Sequence, residues 1–452
     1  MIDRRTTAPW KAAAHASEAA SSISARITKL IGSALIVITA SALFIGGCEK
    51  SAAPPTMTTA EQKLPGEPNI RVRIQRGVGQ VTLTSPTKVQ VYALDAPASK
   101  QLLSTPLTLR LSAGQWLTGS PQPLSRNSIV VIDPLGPAPL GVDKHRYPGA
   151  IRLVPQTRDQ KNIDPAHDRF DVINHVRLEA YLPGVLDREL YDHWQPSAYL
   201  AQAIAARSYA ISRIIDFGPG RHFDVENNQT SQAYVGLAST AICNRSVADT
   251  MGLVLTWNNQ VIPAYYSSTC GGVGSSDEDA FGTASSIAPL RPARTHSYCA
   301  NSRYFDWGPF RQKRSVLARR IAAWGQSRGY SIANLDGIVY IRISKTNHLG
   351  RPVEFEITDR QAKSYRLGGE NFRYACNYSS SDRKIDPPDN RLYSSFVDVK
   401  IDNDDVVFAN GHGFGHGVGL CQFGSEGMAR AGFSPMQILA EYYPGASVDR
   451  AY

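Results

Sequence analysis

A single carboxylate stands out in the stretch Val185–Tyr209, VLDRELYDHWQPSAYLAQAIAARSY. Val185, Leu186, Glu189 and Leu190 recur at the spacing of one helical face, so Glu189 shares that face with apolar side chains while Asp187 and Arg188 point elsewhere. A carboxyl turned toward a partly dry surface holds its proton more tightly than one in water. That property suits a general acid. The other reading of the same residue is structural: a carboxylate paired with Arg207 or with a backbone N–H.

Glu189 ends a short helix in which Pro183, lacking an N–H, belongs in the first turn. An aromatic-rich corner follows, and a long helix starts at Gln195-Pro196-Ser197 and runs to about Phe217. At ~1.5 Å per residue it spans ~30 Å, the width of a small domain. Its many alanines let neighbours approach closely, Gln202 and Arg207 are its polar exceptions near the midpoint, and Gly218-Pro219-Gly220 ends it. A further helix is expected at roughly residues 239–251. A strand pair, 254–257 and 261–265, follows around Asn258-Asn259, a hairpin-like turn.

The segment from Ile70 to about Asn174 reads as β-structure. Residues 71–74, 88–92 and 107–111 alternate in polarity, and Ser128 to Ile132 is a buried-strand run closed by the turn signal Asp133-Pro134-Leu135-Gly136. Nothing there has the spacing of a catalytic set; it reads as a platform. Asp171 to Val176 leads directly into the Glu189 helix.

Two later loops are chemically distinctive. Tyr265 to Gly272 (YYSSTCGG) places hydroxyls beside a glycine pair, but no GxSxG elbow surrounds Ser268, so a structural or sugar-binding loop is expected rather than a serine nucleophile. Gly411 to Gly424 (GHGFGHGVGLCQFG) has glycine at nearly every other position, which means a chain pressed against something or bent repeatedly. The GK[ST] ending of a phosphate loop is missing. His412 and His416 lack the accompanying carboxylate of a helical metal motif, so hydrogen bonding is the expected role and no metal or other cofactor is expected. Between these loops lie a basic helix (315–328), a hairpin (338–343 with 353–358) and a polar, Pro-rich loop insertion near 380–391. An amphipathic helix through Met428 follows the glycine run.

The chain has 452 residues, enough for two or three domains, and a net charge of +9 spread without long basic runs. That field favours anionic surfaces. No nucleic-acid-binding signature accompanies it, so no nucleic acid partner is expected. At the N-terminus, Leu30 to Ile45 is a 16-residue apolar run behind Arg26 and Lys29, the length of a signal-peptide core and short for a span. It ends in Ile45-Gly46-Gly47-Cys48, which resembles a bacterial lipobox with Cys48 as the lipidated residue; an uncleaved anchor helix is the alternative. Residues 51–68 are Pro/Ala/Thr-rich and read as a tether. The expected organisation is a lipoprotein signal peptide (1–47), a tether (48–68), a β-rich N-terminal part (69–176) and a catalytic α+β part (177–452). The fold class is α+β: mixed sheets, a long central Ala-rich helix and an N-terminal β-rich platform. The body is expected to be exported, anchored to a membrane by lipid and facing the cell wall or periplasm.

Taken in order, Leu178-Glu179-x-Tyr181-Leu182-x-Gly184-Val185 with Glu189, Ala201-Gln202-Ala203-x-Ala205-Ala206-Arg207-x-Tyr209, Gln232-x-Tyr234-x-Gly236, Ala264-x-Tyr266-x-Ser268, Gly271-Gly272, Gly413-x-Gly415-His416-Gly417-Val418-Gly419 and Gln422-x-Gly424 resemble the stage II sporulation protein D family, which includes amidase enhancers. The resemblance implies a peptidoglycan lytic transglycosylase acting on glycan strands stripped of stem peptides, with Glu189 as the acid/base. It implies a groove for which Gln202, Arg207, Tyr209, Ser268, His416 and Gln422 are the candidates, with the glycine-rich strand letting a flat glycan lie close to the backbone. One carboxylate suffices there because the muramoyl C6 hydroxyl, not water, attacks the bond, leaving a 1,6-anhydro end. The implied partners are glycan strands and, in the rival reading, a cell-wall amidase that a non-enzymatic member stimulates. Some relatives hold zinc in a loop after the long helix. Here that loop, residues 222–231, has one histidine and no cysteine, which argues against zinc there. In an oxidising compartment the five cysteines besides Cys48 leave at least one free; Cys270 with Cys299 and Cys376 with Cys421 are the expected pairs, and Cys270, His296 and Cys299 form a weaker candidate metal set.

Overall fold

The computed structural model describes residues 64–119, 122–156, 168–292 and 295–452. The expected lipidation at Cys48, the expected signal peptide 1–47 and the expected tether up to residue 63 lie outside the described residues. Among the described residues, no helix is long and apolar enough to cross a membrane.

The expected platform is two sheets. In the five-stranded one, Gln80–Thr84 and Leu107–Ser112 alternate cleanly, burying Val81, Leu83, Leu107, Leu109 and Leu111. The other has seven strands in the order Val225–Glu226, Asn69–Val78, Phe170–Arg177, Ala150–Pro155, Val130–Pro134, Val89–Ala93 and Gln101–Leu103. Phe170–Arg177 pairs antiparallel with Asn69–Val78 on one side and Ala150–Pro155 on the other. It is covered on both faces, burying Phe170 to Asn174 and Val176, so that even the polar Asp171 and Asn174 lie inside.

That strand runs straight into helix α1, Leu178–Glu189. The helix starts earlier than expected, so Pro183 lies inside it rather than in its first turn. The early start has a cause: the leading N–H groups are already taken. Leu178 N–H donates to the Pro68 carbonyl at 3.0 Å, and Glu179 N–H to the Glu67 carboxylate at 2.9 Å. Helix α2, Pro196–Phe217, has the expected bounds and is buried almost throughout from Ala198 to Ser212. Its alanines at 201, 203, 205, 206 and 210 are all inaccessible, and it packs against α1, against α3 (Ala241–Asp249) and against the helices Gln422–Arg430 and Pro435–Tyr442. The hairpin after α3 forms as expected around Asn258 and Asn259, both at positive φ (51° and 61°), the geometry of the tight turn favoured by strand twist.

One buried ion pair fixes α2 against α1. Arg207 Nε and Nη2 each donate to Glu179 at 2.8 Å, and its remaining N–H groups reach the carbonyls of Leu253 (3.1 Å) and Val247 (3.2 Å). Glu179 also accepts from Gly252 N–H at 3.2 Å and from the Tyr452 hydroxyl. The side chain of Arg207 is completely inaccessible.

Residues 177–452 contribute α1 and part of α2 to the platform's apolar cluster and build two further ones. One gathers α2 residues such as Ala201 and Ile204 with Leu255, Val418, Leu420 and Tyr443. The other, from Leu317 to Phe408, is built by the helices Arg314–Arg328 and Gly369–Cys376 and two three-stranded sheets, Tyr340–Thr346 with its neighbours and Phe310–Lys313 with its neighbours. The Pro-rich stretch near 380–391 is irregular, as expected of a loop.

Replacing Arg207 by Met strands the Glu179 charge. Glu179 is held below the usual carboxylate range by Arg207 against the opposing effect of burial. We expect Arg207→Met to cost ~3–5 kcal/mol, read from urea unfolding at neutral pH. Because a depressed carboxyl stabilises above its unfolded pKa and loses that contribution as pH falls through the folded one, the deficit should shrink in acid.

Candidate active site

Glu189 sits at the last turn of α1, half-buried. Gln422 Nε2 donates to one carboxylate oxygen at 2.9 Å, and the Ala233 N–H donates to the other at 3.1 Å. Burial raises its pKa above the ordinary 4.5; the two hydrogen bonds and Arg188 pull the other way without cancelling it. The charged group that most affects it is the Arg188 guanidinium. The result is a fixed, hydrogen-bonded carboxyl that holds its proton more tightly than one in water.

A tyrosine–amide network backs the acid. Gln232 Nε2 donates to the Tyr266 hydroxyl at 3.0 Å and to the Ala206 carbonyl at 3.2 Å, while the Tyr181 hydroxyl donates to Gln232 Oε1 at 3.2 Å. Both tyrosines feel the Glu189 charge, and burial holds both hydroxyls protonated. The Tyr209 ring lies 6.4 Å from that of Tyr266.

Gln422 reaches Glu189 because the helix it opens, Gln422–Arg430, is clamped to the corner between α1 and α2. Phe423 packs edge-on against Trp194 at 5.0 Å and Tyr191 at 6.0 Å. The Gln195 N–H, at the α2 N-cap, donates to Glu426 at 2.8 Å, a carboxylate placed where the helix end favours negative charge. The short parallel ladder Tyr266–Ser267 with Leu420–Cys421 continues as Phe423 N–H donates to the Ser268 carbonyl at 3.0 Å. It brings Ser268 and Gln422 to the same edge.

The other expected groove residues divide. Ser268 is half-buried and Tyr209 lies in the aromatic set. His416 faces its own backbone: Nδ1 accepts from Val418 N–H at 3.0 Å, the ring also bonds the backbone of Tyr266, and burial depresses its pKa to about 4. It therefore stands neutral behind the Tyr266 chain. Arg207 belongs to the Glu179 pair described above, so neither Glu189 nor a ligand has its donors. Gln202 is inaccessible, with neither amide atom hydrogen-bonded among the described residues.

The glycine-rich run is not the flat glycan-facing strand expected. It is pressed onto residues 265–270 of its own chain. At Gly419 (φ 64°) an added Cβ would lie 2.1 Å from the Tyr265 carbonyl, and at Gly413 (φ 76°) 2.5 Å from that of Thr269. Sequence reasoning also passed over Ala233, whose contribution is a backbone N–H, and over Phe423 and Glu426, whose pairing to the helical corner spans more than 200 residues.

Side chains of the loop at residues 222–231 have other partners: His222 hydrogen-bonds Asp171 at 2.9 Å, and Asp224 and Glu226 form ion pairs with Arg71 and Arg73. The five described cysteines are unbonded and buried. The expected Cys376–Cys421 pair does not form, because Cys376 lies in the Leu317–Phe408 cluster while Cys421 lies with Cys270 and Cys299. Cys270 and Cys299 do meet, at 3.6 Å, as neighbouring thiols.

A half-buried carboxyl with a raised pKa, set among hydroxyl and amide groups, has an environment in which a carboxyl can act as a general acid. The family model described as SpoIID, stage II sporulation protein, matches residues 166–257, which include α1, Glu189 and α2. An uncharacterized protein of Brachyspira hyodysenteriae is 28% identical over 63% of this chain and 70% of its own length. The stage II sporulation protein D of Bacillus subtilis is 24% identical over 62% and 76%, and the amidase enhancer of Bacillus subtilis 25% over 59% and 40%. The chain is thus similar, at low identity, to stage II sporulation protein D and amidase enhancer proteins, with the family model matching the segment that holds Glu189.

A raised carboxyl pKa makes the ionised form a burden on the fold. Its stabilising contribution is complete below the unfolded pKa and is lost as pH rises through the folded one. Glu189→Gln is therefore expected to unfold at a higher temperature than the unmodified protein at pH 8, with the difference vanishing near pH 4. Thermal scans at the two pH values check this.

Proposed function

We propose that the protein is a peptidoglycan lytic transglycosylase that cuts the MurNAc–GlcNAc bond of peptide-free glycan strands. The observation that carries the reading is Glu189: a single carboxyl with raised pKa, fixed from both sides by Gln422 and the Ala233 N–H. In its protonated form Glu189 delivers its proton to the glycosidic oxygen as the bond to C1 of the muramoyl residue breaks. The resulting carboxylate then takes the proton of the muramoyl C6 hydroxyl as that oxygen closes on C1. The end product is a 1,6-anhydro-muramoyl end, and the enzyme is returned protonated. No water is consumed, so this reaction needs one carboxyl where an ordinary glycosidase uses two.

The tyrosine hydroxyls and Gln232 hold the wall behind the acid, and Gln422 keeps the carboxyl aimed during both proton transfers. Ser268 and Tyr209 supply the adjoining edge, where sugar hydroxyls and N-acetyl groups would dock. The body is exported and held to a membrane through Cys48, facing the wall polymer it acts on. A second reading is favoured by the likeness to the amidase enhancer of Bacillus subtilis: a non-enzymatic glycan binder that stimulates a cell-wall amidase.

Peptide-free glycan strands incubated with the protein should gain anhydro-muramoyl ends detectable by mass. Glu189→Gln should lower that rate by ~10²–10⁴-fold while glycan binding persists. Equal inactivity of both proteins, with an amidase stimulated by either, would favour the enhancer.

A further inference from the structure

Behind the acid, three thiols and an imidazole converge from three separate segments. Cys270 follows the Tyr266–Ser267 strand, Cys299 lies in the turn after His296, and Cys421 is the N-cap of the Gln422–Arg430 helix. All three sulfurs are buried and lie within 4.8 Å of one another. Cys270 Sγ is 3.6 Å from Cys299 Sγ and 3.6 Å from His296 Nε2. A zinc ion with metal–sulfur bonds of ~2.3 Å has tetrahedral edges of ~3.8 Å, so both separations are close to edges of such a polyhedron. Two backbone N–H groups, from Cys270 and Gly424, point at Cys421 Sγ at 3.3 Å each, the kind of donors that support a metal thiolate.

From this geometry we infer that Cys270, Cys299, Cys421 and His296 form a structural site for a soft divalent cation of the zinc type. The donor set selects the ion: three thiolates and one imidazole in tetrahedral array suit zinc and disfavour magnesium or calcium, which take oxygen. Loading releases the three thiol protons and leaves the imidazole neutral, its Nε2 on the metal. A disulfide between any two of these cysteines would leave the third thiol buried beside it, whereas a cation engages all three. A cavity of about 330 Å³ borders Cys270 and His296 and gives an ion a route to the site. The site has a mechanical consequence, since Cys421 immediately precedes Gln422, the donor to Glu189. The cation would lock together the loop at 270, the turn at 299 and the start of the helix that aims the acid. This inference does not depend on the reaction proposed above.

The test uses the full-length protein purified without chelator from zinc-supplemented cells. Elemental mass spectrometry should find one zinc per chain. Exchange for Co²⁺ should give a near-ultraviolet thiolate-to-cobalt charge-transfer band and the intense visible bands of a tetrahedral ion. Cys299→Ser and Cys421→Ser should each weaken zinc binding by at least the ~10-fold that loss of an outer-shell partner already costs, while Cys376→Ser leaves it unchanged. If the ligand variants fail to fold, the cobalt spectrum of the unmodified protein decides alone. A metal-free protein carrying a Cys270–Cys299 disulfide, or a cobalt complex without the thiolate band, would overturn the inference.

Discussion

The hydrogen bond from Gln422 to Glu189 joins side chains 233 residues apart, and much of the structure can be understood as what makes that contact possible. On one side, Glu189 is delivered by α1, which grows without interruption out of the most covered strand of the seven-stranded sheet. On the other, Gln422 opens a helix whose next residue, Phe423, is seated against the aromatic corner of Tyr191 and Trp194. The Glu426 carboxylate on the α2 N-cap fixes the same helix a turn later. A short polar contact at 2.9 Å is thus specified by large apolar surfaces that neither partner belongs to.

The buried charges serve that same purpose at different depths. Arg207 and Glu179 satisfy each other in the interior, so their contribution is orientation: they set α2 against α1 and draw in Gly252 and the C-terminal Tyr452. Removing one partner is costly, whereas an apolar pair of the same shape need not be. Glu189 has the opposite environment. Among the described residues it has hydrogen-bond donors but no ion pair, so burial prevails and its pKa is raised. Two glutamates on one helix, ten residues apart, are separated in role by what faces them: an arginine for the first, amide groups for the second.

How much of this could be read from the sequence follows the range of the interactions. Features set by local periodicity were legible: the bounds of α2, the turn at Asn258-Asn259, the alternating strands of the platform and the apolar face beside Glu189. Pro183 misled, because the acceptors that permit an earlier helix start come from Glu67 and Pro68, far back in the chain. The motif residues Arg207 and Gln202 entered the groove set through the family resemblance alone, yet both are fully buried. The glycine pattern correctly signalled close approach but not to what; the partner is the chain's own 265–270 segment. Ala233 was illegible in principle, since its contribution is a backbone N–H that any residue type but proline carries.

The central claim is that one protonable carboxyl cleaves a glycan by directing an internal hydroxyl, not water, at the broken bond. Cleavage of peptide-free strands in heavy-oxygen water tests it most directly, with the new muramoyl ends weighed by mass spectrometry. The account predicts ends lighter by one water than a reducing sugar and free of heavy oxygen. Heavy oxygen at the new ends would make the protein a hydrolase, and strands left intact would leave Glu189 without the reaction assigned to it.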